Sequence, residues 1–155
     1  MMEFTGRERI AAGADEVFRK LTDLDFVRDG VPDLVSAERV GEELRCRVRP
    51  GVSFLKGTLD VVFRVVESAA PTATMTVQGK GIGASLAIET TMQVRATEDG
   101  RACDVEWTSR VTQLGGLLKA VSKGLIEGLA QKVSRRTWDD LRRRLEAETR
   151  DESGN

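Results

Sequence analysis

The sequence has no histidine and no tyrosine. Those absences remove the commonest general base, the commonest metal ligand and the phenol acid. A Ser-His-Asp triad and any histidine-bearing zinc site are excluded with them. Cysteine is scarce: Cys46 and Cys103 are the only two, without CxxC spacing, and both read as buried thiols in a reducing compartment. Long apolar runs are missing. No window reaches the ~18 apolar residues that a spanning helix requires, and the start, Met1 to Arg7, has no apolar signal stretch. The expected location is cytoplasmic. Charge of one sign is missing too: 24 Lys and Arg against 25 Asp and Glu leave −1. That balance gives no reason to expect nucleic-acid binding. No metal or cofactor is expected.

What is present is alternation. Glu3 to Ile10 reads as a strand with Phe4, Gly6, Glu8 and Ile10 on one face. Glu8 on that face has two readings: an edge or bulge that turns it to water, or a lone carboxylate inside a cavity with a raised pKa. Ala11 to Leu21 reads as a short amphipathic helix and Thr22 to Arg28 as a second, ended by Gly30-Val31-Pro32-Asp33. Strands follow over Leu34 to Val40, around Leu44, Cys46 and Val48, around Leu59 to Val65, around Ala73 to Val77, around Leu86 to Val94, and over Arg101 to Thr112. The last places Cys103, Val105, Trp107, Ser109 and Val111 inward. Gly41-Glu42-Glu43 and Glu98-Asp99-Gly100 supply hairpin turns.

Leu114 to Ala147 reads as one long helix, from the spacing of Leu114, Leu118, Val121, Leu125, Leu129, Val133, Trp138, Leu141 and Leu145. Gly124 and Gly128 share a face of it. They predict either close packing on the sheet or room left for a ligand. Arg135-Arg136 and Arg142-Arg143-Arg144 alternate with acids, which suits a solvated helix end, with attraction to an anionic membrane as the other reading. Residues 1–147 form one domain in this reading, and Glu148 to Asn155 a disordered tail.

The expected architecture is α+β: a seven-stranded antiparallel curved sheet wrapped around the C-terminal helix, with two short helices after the first strand. Many inward residues are small or flexible, so the curl is under-filled and leaves an apolar cavity. The residues predicted to bind a ligand there are Phe26 and Val31, Leu55, the strand residues Phe63, Met75, Val77, Leu86, Ile88, Met92, Trp107 and Ser109, and Leu118, Val121 and Leu125 from the helix. Gly79 to Gly83 sits between strands, so it reads as a lid rather than a phosphate loop. The facing loop runs from Pro50 to Gly57. Phe54, Leu55 and Ile82 are expected as exposed apolar tips that touch a partner or a membrane.

Several stretches, in order, resemble one family. Met2-Glu3-Phe4-Thr5-Gly6 and Asp15-Glu16-Val17-Phe18 look like its opening strand and helix, and Val31-Pro32 like its Ile-Pro turn. Phe54-Leu55-Lys56-Gly57, Gly79-Lys80-Gly81-Ile82-Gly83, Leu114-Gly115-Gly116-Leu117 and Leu125-Ile126-Glu127-Gly128-Leu129-Ala130 look like later segments. The chain resembles the CoxG family, named for a carbon monoxide dehydrogenase component, within the START and polyketide-cyclase (SRPBCC, helix-grip) superfamily. Thr137-Trp138 stands where that family has paired phenylalanines. The resemblance implies an apolar molecule held between helix and sheet, accessory roles around molybdenum hydroxylases, lipid or quinone handling, and membrane attachment. The expected function is a non-catalytic carrier of a hydrophobic small molecule such as a lipid, isoprenoid or quinone, with a partner enzyme or a transient membrane contact. The alternative is a cyclase or dehydratase using the same cavity, with Glu8, Thr90, Ser109 and Arg110 as the available groups.

Overall fold

The chain opens with strand β1 (Glu3–Ile10), then helices α1 (Ala14–Leu21) and α2 (Leu24–Arg28). A meander follows: β2 (Leu34–Val40), β3 (Glu43–Val48), β4 (Leu59–Ala69), β5 (Thr72–Gly81), β6 (Ala84–Ala96) and β7 (Cys103–Gly116). A 3-10 turn (Leu117–Ala120) leads into α3 (Lys123–Ser153). The computed structural model describes residues 2–52 and 55–153, with side chains described as far as Ala147. Alternation does what the sequence pattern demands. On β3, Leu44, Cys46 and Val48 are buried and Arg45 and Arg47 exposed; on β7, Cys103, Val105 and Trp107 are buried.

The strands form one antiparallel sheet in the order β1-β7-β6-β5-β4-β3-β2. Only β1 leaves sequence order, pairing beside the last strand with Gly6 opposite Trp107 and Glu8 opposite Val105. The chain must then cross the sheet to start β2 at the far edge. The two short helices make that crossing, α1 against β6 and β7 and α2 against β3 and β4. α1 begins at Ala14, with Asp15 and Glu16 in its first turn. The Asp23 side chain accepts a bond from the Asp25 amide at 2.9 Å and so starts α2 at Leu24.

The long helix differs from the expectation at its start. Leu114, Gly115 and Gly116 belong to β7 and pair with Leu86, Ser85 and Ala84. Thr112 is left unpaired between Val111 and Gln113, which face Ile88 and Ala87. This bulge resets the alternation, so Leu114 packs with Leu86. Gly116 turns the chain at φ +59°, and a Cβ there would strike the Gly83 carbonyl. Leu118 is then buried from a 3-10 turn, not from a helix. At its other end the helix continues past Ala147 to Ser153, so residues 148–153 extend it where a disordered tail was expected. Gly154 and Asn155 lie outside the described residues.

Two loop expectations change as well. Leu55 is buried with Ala84, Leu118 and Ile126 rather than exposed, and Ile82 is half-buried. Phe54 lies outside the described residues. Ile82 holds φ +46° between Gly81 and Gly83, a strained conformation for a β-branched residue.

Candidate functional site

α3 meets the sheet at two places. Ile126 is buried near its start, against Leu55, Ala84 and Leu118. Trp138 and Leu145 are buried further along, with Ile10, Val17 and Trp107. Between these anchors Val133, Ser134 and Thr137 face the sheet, and none of them is fully buried. Side chains this short cannot reach the sheet, and a hollow of ≈ 210 Å³ remains.

Its sheet wall is Phe63, Met75, Val77, Thr90, Met92, Trp107 and Ser109. Leu21, Val27, Gly30 and Val31 close one side, and Val133, Ser134, Thr137, Trp138 and Leu141 come from α3. No lining residue is charged. On the sheet wall the Thr90 and Ser109 hydroxyls lie 2.7 Å apart. A larger groove of ≈ 720 Å³, beside Glu38, Glu43, Arg45, Arg47 and Asp60, lies among side chains tied by ion pairs such as Arg47–Asp60 at 3.2 Å, and one of ≈ 440 Å³ between α3 and β1 is lined by the charged Glu8 and Arg135.

Of the residues predicted to line a cavity, Val31, Phe63, Met75, Val77, Met92, Trp107 and Ser109 meet around this one. The others do not. Phe26 is buried beneath the Arg144 guanidinium, which lies 3.9 Å from its ring centre and donates to its carbonyl. Leu55, Leu86, Leu118 and Val121 pack in the cluster around Ile126. Ile88 stands between Val77 and Val111 in the sheet, outside the lining. Leu125 is 52% exposed. The cause is the helix start. Counting three and four from Leu114 puts Leu125 and Leu129 inward, whereas counting back from Leu145 and Trp138 puts Ser134, Ala130 and Ile126 there. The same shift overturns both readings of Gly124 and Gly128. Each is exposed, and a Cβ on either would meet nothing within 4 Å. They neither pack on the sheet nor line the hollow.

Glu8 is the second feature of the interior. It is 2% exposed, so neither edge nor bulge turns it to water. Its Oε2 accepts from Trp107 Nε1 at 3.1 Å. Its Oε1 accepts from Arg135 Nη2 at 2.5 Å and Arg142 Nη2 at 2.8 Å. Burial pushes the carboxyl up, but the bonds from Arg135 and Trp107 and the charges of both arginines outweigh it, so its pKa lies below the ordinary value. The expected raised pKa is corrected: a buried carboxylate facing two guanidiniums stays ionised. It ties α3 to the edge strand, and Arg142 Nε on the Arg9 carbonyl (3.1 Å) and Glu146 on the Ala11 amide (2.8 Å) continue the seam. Gly6 makes room for it. A Cβ there would lie 2.5 Å from the Trp107 ring, which stacks on Trp138 at 5.8 Å and 19°. The arginines read as solvated thus include three that reach a buried partner, Arg135 and Arg142 on Glu8 and Arg144 on Phe26.

Both thiols are free and buried, and burial raises their pKa, for Cys103 to about 11. Among the described residues no group of acids and cysteines could hold a metal, and no helix is long and apolar enough to cross a membrane.

Solved structures share this fold. A conserved protein from Geobacillus kaustophilus is 18% identical with TM-score 0.82, covering 93% of this chain and 95% of its own. A START superfamily protein from Mycobacterium smegmatis is 14% identical at TM-score 0.72, covering 95% and 99%. The di-domain ARO/CYC BexL from the BE-7585A biosynthetic pathway is 17% identical at TM-score 0.65, and 96% of this chain matches 47% of it. The chain matches no curated protein sequence. The family model of CoxG, the G component of carbon monoxide dehydrogenase, matches residues 6–146. The helix gripped by the sheet and the apolar hollow beneath it are thus those of a chain that belongs to the CoxG family.

Proposed function

We propose that this protein is a non-catalytic carrier that holds an apolar small molecule between α3 and the sheet, as an accessory to a partner enzyme. The observation that carries this reading is the uncharged hollow of ≈ 210 Å³ between the two anchors of α3. Pockets for drug-sized ligands usually occupy about 300–1,000 Å³. The cargo is therefore small, or it is the apolar end of a longer molecule such as a lipid, isoprenoid or quinone. The interior carboxylate is committed to Trp107 and two arginines, which leaves no free acid or base among the described residues lining the hollow for a cyclase-type step. The family's name supports an enzyme of the carbon monoxide dehydrogenase kind as the partner.

A surface near the start of α3 supports a transient contact. Leu117 and Leu125 are about half exposed. Leu117 touches the Gly83 turn and Ile82 reaches Gly57, and Lys56, Lys80, Lys119 and Lys123 neighbour these residues in the chain, Lys123 being paired with Glu127. Apolar side chains with lysines close by in the chain suit an anionic membrane. Native mass spectrometry of the purified protein tests the carrier reading. The expected result is a co-purified apolar species that unfolding releases. A protein that carries no such species, and takes none up from apolar compounds added in excess, overturns it.

A further inference from the structure

The hydroxyl groups of the hollow say what its occupant must offer. Thr90 Oγ1 and Ser109 Oγ stand opposite each other on β6 and β7, 2.7 Å apart. Whichever donates, the acceptor's own proton is left over, and among the described residues no side chain or carbonyl takes it. On the facing wall the Ser134 and Thr137 hydroxyls make no hydrogen bond among the described residues either, although a helical hydroxyl commonly turns back to the carbonyl four residues before it. None of these hydroxyls is both sealed from solvent and unpartnered, but a proton facing an apolar wall still gains from an acceptor that displaces water. Water could serve, but a space with so few polar partners orders water poorly. The wall also bears no charge, so an ionised ligand would sit there uncompensated.

Resting on the carrier reading, we infer that the Thr90–Ser109 pair is a specificity site. It selects a neutral ligand with an acceptor oxygen, a carbonyl or an ether, on an otherwise apolar body. The oxygen lies against the hydroxyl pair. The body lies along Phe63, Met75 and the stacked indoles of Trp107 and Trp138, which suit a flat ring. No covalent step is involved.

The test uses the full chain and two probes of one shape: 1-indanone, and 1-methyleneindane, in which the carbonyl oxygen is replaced by a CH₂ group. Titration followed by tryptophan fluorescence reads the hollow directly, because both tryptophans line it. One neutral hydrogen bond predicts that 1-indanone binds about three- to tenfold more tightly. In the double variant Thr90→Val with Ser109→Ala that ratio falls to near one. Indane-1-carboxylate binds more weakly than either. Equal binding of the two neutral probes to the unaltered protein overturns the specificity site and leaves the carrier reading standing; this comparison requires no variant. If neither probe binds, the carrier reading for this hollow fails and the specificity site falls with it.

Discussion

The two halves of α3 are held by different physics. From Ser134 onward the helix is pinned: Trp138 and Leu145 are buried, Arg135 and Arg142 reach the buried Glu8, Arg142 takes the Arg9 carbonyl, and Glu146 the Ala11 amide. From Lys123 to Val133 only Ile126 is buried, two glycines face open space, and Leu125 and Val133 are about half exposed. A helix anchored firmly at one end and lightly at the other can admit a molecule beneath its loose half without losing the fold, because local opening costs least where few contacts are broken.

The contrast fails if substitutions in the two halves cost the same. Trp138→Ala removes a buried indole and is expected to lose about 3–5 kcal/mol, whereas Leu125→Ala stays within about 0.5 kcal/mol; urea unfolding of both variants reads the difference. Glu8→Gln leaves two guanidiniums short of their counter-charge. Breaking a buried pair costs roughly 3–5 kcal/mol, but Arg135 and Arg142 are 53% and 32% exposed, so roughly 2–3 kcal/mol is expected by the same measurement. Gly6→Ala drives a methyl into the Trp107 ring. A loss of about 1–3 kcal/mol is expected, together with a changed near-ultraviolet circular dichroism from the stacked indoles.

Acid probes the pinned half alone. The folded-state pKa of Glu8 is depressed, so its stabilisation is complete above the ordinary value of 4.5 and is lost as pH falls through the lower folded value. The stability gap between the unaltered protein and Glu8→Gln should therefore be constant near neutrality and shrink below pH 4.5. Asp104, held at about 2 chiefly by its bond from Arg9, loses its contribution at lower pH in both proteins and cancels. A gap that does not change with pH would deny Glu8 its ionised role. The smallest effect has the opposite sign. Gly124→Ala and Gly128→Ala, with open space at each Cβ, should each stabilise by up to about 1 kcal/mol. They should also slow release of a bound probe in stopped-flow fluorescence, by stiffening the loose half.

The strands were legible because a period of two survives on a half-buried sheet. Leu44, Cys46 and Val48 against Arg45 and Arg47 state their faces outright. So were Phe63, Met75, Val77, Met92, Trp107 and Ser109 of the wall that strands build, whereas Leu86 and Ile88 lie outside it and Thr90 reads in the sequence only as a catalytic candidate. The helical wall was not. Thr112 bulges out of β7, and one unpaired residue shifts every later face, so Leu114 extended the strand while its spacing matched a helix. Trp138 and Leu145 carried the correct phase. Ser134 and Thr137 went unnoticed because small polar residues give no apolar signal, yet their smallness leaves the space. Leu21 and Val27 were missed because helix phase alone does not say which neighbour a short helix faces.

Local periodicity and composition were enough for seven strands, two short helices, a long final one, and an interior without histidine or tyrosine, because those signals act within a few residues. Packing alone made Glu8 an ionised anchor rather than a lone acid, and set Ser134 and Thr137 across a hollow from Thr90 and Ser109. Arg135 lies 127 residues from Glu8 in the chain, and a pairing at that distance is set by how the sheet and helix pack, not by any pattern along the chain.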